Sequence, residues 1–122
     1  MTTYRLDAGA QTLVLAASTG LPEVIYWGAR LPDTESLDAI AAASLSDLTG
    51  GMLDALPALS LTPEAGRAFQ GQPGLVLSDA NGTLLLPAFQ FDRAETASDH
   101  LRLISRAAGL TLTHDIRASA SV

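Results

Sequence analysis

The chain has 122 residues, 48% of them hydrophobic and 16% charged, with a formal net charge of -6 and no cysteine. Such a chain can bury a core and fold as one domain. Every basic residue is arginine and no basic run occurs, so a phosphate backbone would be repelled, and nucleic acid is not expected as a partner. Without cysteine, disulfides, zinc thiolate sites and cysteine nucleophiles are excluded. The opening "MTTYRLDAGA" has no basic and apolar leader pattern, and no apolar run reaches the ~20 residues that span a bilayer. A cytoplasmic location is expected, with no membrane partner. The charged fraction lies below the usual quarter or so of a domain. Two readings fit that shortfall: surface covered by a partner, or simple alanine enrichment.

In chain order, "TYRLDAG" reads as a first strand closed by Gly9, and "QTLVLAAS" as the second, across a hairpin at 7–10. "PEVIYWGAR" is a third strand with a near-continuous apolar run, which implies that both faces are covered. Strict alternation over this strand puts Val24 and Tyr26 on one face and Ile25 and Trp27 on the other. That pattern assigns Trp27, the sole tryptophan, to core or domain-interface packing rather than to a sugar platform.

The period then changes. Leu37, Ile40, Ala41, Leu45 and Leu48 recur at helical spacing. Asp33, Thr34 and Ser36 offer capping oxygens, and Thr49–Gly51 offers the stop. Positions 52–72 form a long loop in which Thr62, Pro63 and Glu64 can open one helical turn and Gly66 close it. Asn81–Gly82, between two apolar runs, is a hairpin signal. "HLRLISRAAGLTLTHDIR" reads as another hairpin around 107–109, in which Arg102 or Arg106 can face Asp115. The sum is about seven short strands and one inserted short helix: an all-β antiparallel β-sandwich in a single domain, 1–122.

Catalytic signals are weak. His100 and His114 lie on separate strands with no metal-ligand spacing, and His114 reads as a core or rim histidine. No GxSxG elbow and no phosphate loop occurs. Among 13 carboxylates nothing selects a glycosidic acid/base pair. Asp7, Asp79 and Asp92 fall at expected strand ends or turns, where aspartate serves the backbone. No metal, cofactor or catalytic residue is assigned. The loop "GRAFQGQPG" has two readings, an ordinary ordered loop or one presenting Arg67, Phe69 and Gln70 to a sugar or a neighbouring subunit.

Taken together, "YRLDAGAQTLVLA", "LPEVIYWGARLP" and "LPALSLTPEAGRAFQGQPGLVL" with the following "NGT" resemble the N-terminal domain of bacterial α-galactosidases of glycoside hydrolase family 36. The similarity runs from Tyr4 to Arg117. It implies that the chain is the first part of a β-supersandwich that precedes a catalytic (β/α)₈ barrel. That barrel would carry both catalytic aspartates of a retaining enzyme acting on α-galactosides, and neither has a counterpart here. The resemblance further implies a homo-oligomer whose N-terminal loops reach a neighbour's sugar site. Ala68 stands where the family often has aspartate and Gln70 where it often has arginine; Phe69 is the best-matched position. The expected partners are therefore the barrel of the parent chain, an α-galactoside in the parent and further copies of the chain. A stand-alone carbohydrate-binding or interaction module is the alternative, and a pure assembly domain a third reading.

Overall fold

The computed structural model describes residues 1–45, 59–67 and 69–119. Three strands, β1 (Thr2–Ala8), β2 (Gln11–Ala17) and β3 (Glu23–Ala29), form one antiparallel sheet. A helix, α1 (Leu37–Ser44), follows. A 3₁₀ turn at Ala65–Arg67 precedes a two-stranded ribbon of β4 (Leu77–Ser78) and β5 (Leu84–Leu85). A second three-stranded antiparallel sheet closes the chain with β6 (Gln90–Thr96), β7 (His100–Ala107) and β8 (Leu110–Arg117). Among the described residues the fold is all-β with one short α-helix, as the apolar patterning implies.

Local chemistry accounts for the turns. Ala8 pairs with Gln11, which leaves Gly9–Ala10 as a two-residue loop, and Gly9 takes φ +57°. In the ribbon, the Asp79 carboxylate accepts the Asn81 and Thr83 amides at 2.9 Å each, and Gly82 has φ +80°. The β7–β8 loop is Ala108–Gly109, with φ +46° and +80°, so both residues lie in the left-handed region that a tight hairpin requires. Ala108 carries the Cβ penalty there without an asparagine or glycine to relieve it. The helix begins where the Ser36 hydroxyl accepts the Ala39 amide at 3.2 Å, and Leu45 leaves it in an extended conformation. The expected continuation to Leu48 and a stop at Thr49–Gly51 lies outside the described residues.

The two three-stranded sheets pack face to face through Leu6 and Leu15 of the first and Leu101 and Leu103 of the second, all at most 6% exposed. Tyr4, Val24, Phe91, Ala94 and Ile116 surround this seam, and the Tyr4 and Phe91 rings meet at 6.1 Å. The outer face of the first sheet is covered as well. Thr12, Val14 and Ala16 are buried there, and α1 packs against β1 and β3 with Ala41 buried. The outer face of the second sheet carries the buried Ile104 and is ion-paired: Arg102 lies between Asp115 at 3.0 Å and Glu95 at 3.5 Å, while Arg106 takes Asp92 at 3.0 Å. Arg102 and His100 hold the Asp115 carboxyl below its ordinary range by hydrogen bonding to its charged form.

Two bulges correct the strand reading. Leu15 faces Val24 while Leu13 faces Trp27, so Ile25 is an extra residue in β3. Val24 and Trp27 therefore share the sandwich face, whereas strict alternation would separate them. Trp27 lies beyond the overlap of the sheets and is 74% exposed, with only a 3.3 Å bond from its indole N–H to Gln11 Oε1. It is a surface side chain of this chain, not a core one. In the second sheet Asp92 is the extra residue, between Phe91 opposite Ser105 and Arg93 opposite Ile104. The apolar run that follows Asn81–Gly82 divides at Pro87 between β5 and the start of β6, and β6 beyond Phe91 carries no apolar alternation. Its charged residues hide a core face of only Phe91 and Ala94.

Leu15→Ala should lower the unfolding free energy by about 2–5 kcal/mol, the cost of a leucine-sized core truncation. Trp27→Ala should change it by less than about 1 kcal/mol; urea denaturation of both variants checks the contrast. Ala108→Asn should raise stability by about 0.5–1 kcal/mol by easing the left-handed backbone, read from the same curves.

Candidate functional site

The segment 59–67 crosses the end of the sandwich as a strap. It begins by extending the edge of β3: Val24 N–H donates to the Leu59 carbonyl at 2.7 Å, and Leu61 N–H to the Pro22 carbonyl at 3.1 Å. Leu61 then joins the core seam. Thr62 Oγ1 lies 2.6 Å from His114 Nε2 on β8, so the strap is tied to both sheets. Gly74 N–H donates to the Pro63 carbonyl at 2.9 Å, and there is no room for a Cβ on Gly74 beside Thr62.

The strap ends in a polar clip. Glu64 Oε1 pairs with Arg67 Nε at 3.0 Å, three residues on across the 3₁₀ turn. Glu64 Oε2 accepts the Phe89 amide at 3.2 Å, and Arg67 Nη2 donates to the Phe89 carbonyl at 2.9 Å. One ion pair thus satisfies both backbone groups of Phe89, a residue only 3% exposed that immediately precedes β6. A Cβ added to Gly20 would lie 2.9 Å from Arg67 Nη1, so glycine lets the guanidinium lie against the chain before β3.

The strap separates two hollows that share Leu21 and Glu64. On one side is a mixed cleft of about 400 Å³. Ser18, Thr19, Glu23 and Ser60 give it polar groups, and Arg67 and Phe69 border it. On the other side, beneath the ribbon, is an apolar cavity of about 190 Å³ that includes Leu77, Leu85 and Phe89. Of the three residues singled out from sequence, Arg67 and Phe69 are thus brought to one cleft. Gln70 is exposed and does not line it. The Phe69 ring folds back over Gly71, where a Cβ would lie 2.7 Å from the ring. Arg67 is already committed by three of its contacts, to Glu64, Phe89 and Gly20. Sequence reasoning missed Phe89 as its partner, because the partner atoms there are backbone and carry no residue signature, and it read Glu64 only as opening a helical turn.

Among the described residues no group of three or more histidine, aspartate or glutamate side chains is placed to hold a metal. No helix among them is long and apolar enough to cross a membrane. His114 sits on the core-facing side of β8, opposite Leu103. Its Nδ1 is buried without a partner, and burial holds the ring below its ordinary pKa. No family model, no curated protein and no solved structure matches this chain.

Two outcomes follow. Arg67→Ala strands the nearly buried Glu64 carboxylate and should cost about 1–3 kcal/mol, whereas Gln70→Ala should stay within about 0.5 kcal/mol; thermal unfolding separates them. His114 has a depressed folded pKa, so the unfolded chain binds its proton first. Its contribution is complete above the ordinary value of about 6.5 and is lost on acidification through that value toward the folded one. The urea midpoint should therefore fall between about pH 7.5 and about pH 5.5, and fall less in His114→Gln.

Proposed function

We propose that the chain is a non-catalytic accessory β-sandwich of an α-galactosidase-like glycoside hydrolase, working in the cytoplasm. It would support the catalytic barrel and oligomer assembly and contribute Phe69 and Arg67 to galactoside recognition. The observation that carries this reading is the uncovered apolar ribbon. Leu84 and Leu85 of β5 are 57% and 40% exposed, and Leu75, Val76 and Leu86, which flank the two strands in sequence, are 36–64% exposed. A contiguous apolar surface of this kind marks a place where another protein surface sits. A ribbon with two residues per strand also has little stability of its own. A barrel packed on it would supply the missing layer, and the resemblance from Tyr4 to Arg117 names that barrel's class.

The stand-alone carbohydrate-binding or interaction module remains the second reading, favoured by the mixed cleft with the Phe69 ring and the hydroxyls of Ser18, Thr19 and Ser60. Aromatic faces and hydroxyl groups suit a neutral sugar, and the net charge of -6 does not oppose one.

The chain alone should release no nitrophenol from p-nitrophenyl α-galactoside. The reading frame in its genomic context should encode a barrel with two catalytic aspartates; a frame without a barrel overturns the galactosidase assignment. Galactose added to the chain should shift the Gly20 and Phe69 amide resonances saturably if the cleft takes part in recognition. A flat titration leaves support and assembly as its role.

A further inference from the structure

The cavity under the ribbon has a chemistry of its own, distinct from that of the sugar-facing cleft. Its floor is Leu21 and Phe89, 5% and 3% exposed, and its walls include Leu77, Leu84 and Leu85. Among the described residues two polar side chains reach it, and both are already satisfied. Thr62 Oγ1 is bonded to His114, and the Glu64 oxygens are taken by Arg67 and the Phe89 amide. The cavity therefore offers a polar ligand no free side-chain group, and a polar ligand would lose its water without replacement.

Its size sets the occupant. An apolar cavity of about 150 Å³ is enough to take benzene, and this one measures about 190 Å³. One phenyl ring or one branched butyl group fits. The mouth is ringed by Leu75, Val76 and Leu86, which stay 36–64% exposed. A free small molecule in the cavity would leave that ring in water, whereas a chain segment carrying the anchoring group would cover it. Such an arrangement, a filled pocket with a surrounding apolar seal, is how binding energy concentrates at protein interfaces. Seated ribbon to ribbon, two copies would each bring a net charge of -6, with no basic residue among the described lining residues to offset it. That acts against a second copy as the occupant of this cavity and leaves assembly through other surfaces untouched.

We propose that this cavity receives one leucine- or phenylalanine-sized side chain from an uncharged segment of a partner protein, which anchors the partner on the ribbon. The inference rests on the reading above only in needing a partner on the ribbon; it does not depend on the partner being a glycosidase barrel.

The test is an amide-resonance titration of the whole chain with N-acetyl-phenylalanine amide, N-acetyl-leucine amide and, as control, N-acetyl-serine amide. The first two should shift the Leu77, Leu85 and Phe89 amides saturably in the millimolar range, as so few atoms allow, and the serine probe should not. Gly66 lines the cavity, and a Cβ there meets only Leu86, at 3.5 Å, with the Leu86 carbonyl at 3.8 Å. Gly66→Leu should plug the cavity and abolish those shifts while the rest of the spectrum stays in place. Equal shifts with all three probes overturn the proposal. So does submillimolar binding of toluene with no response to the amino-acid amides, which assigns the cavity to a free apolar ligand. Concentration-dependent shifts confined to the ribbon in the chain alone assign it to a second copy, again against the proposal. The wild-type titration decides the matter even if the Gly66 variant does not fold, and the genomic reading frame tests the galactosidase assignment separately.

Discussion

The contact between Leu6 and Leu15 on one sheet and Leu101 and Leu103 on the other is the constraint on which the rest depends. Neither three-stranded sheet has a second apolar layer within itself, and each must bury its inner face against the other. The seam joins strands about 90 residues apart in sequence, so everything between them is set by how the chain returns. The chain leaves the first sheet along its covered outer face, passes through α1 and comes back as the strap. The strap's own leucine, Leu61, enters the same seam. Burial in the seam therefore orders the strap, and the strap in turn shapes both hollows.

Polar interactions finish what the seam begins. On the outer face of the first sheet, Arg5 donates to the Leu31 and Pro32 carbonyls and to Asp7, while the Thr12 hydroxyl bonds Asp7 and accepts the Leu31 amide. The Thr12 hydroxyl and the Arg5 guanidinium keep the Asp7 carboxyl below its ordinary pKa. This knot fixes the route from β3 to α1. At the other end the Glu64–Arg67 pair does the same for the entry into β6. Both use an arginine fork to satisfy main-chain carbonyls that no strand partner reaches, a geometry lysine could not reproduce. A chain whose seven basic residues are all arginine is suited to that task.

The two hollows divide the chemistry of the surface. The cleft beside Phe69 is mixed in character and can meet a hydroxylated ligand. The cavity beneath the ribbon is apolar with its polar atoms spent, and suits an anchoring side chain. Because Glu64 and Leu21 line both, occupancy of one hollow bears on the strap that borders the other.

Much of the fold was legible because it depends on local chemistry. Apolar patterning gave five of the six strands of the two three-stranded sheets, Asp33, Thr34 and Ser36 offered the helix start that Ser36 supplies, and Gly9, Asn81–Gly82 and the 107–109 stretch marked the hairpins. The sequence by itself also shows that there is no cysteine and no basic run among the seven arginines. Three things only the tertiary structure decided. The bulge at Ile25 put Trp27 on the sandwich face yet outside the overlap, because one inserted residue reverses the alternation that sequence reading assumes. The β6 strand was hidden because its partner β7 supplies most of the burial and its own outward residues are charged. Arg67 was visible as a loop arginine, but its engagement with Glu64 and the backbone of Phe89 was not, since a carbonyl 22 residues away leaves no mark in the sequence.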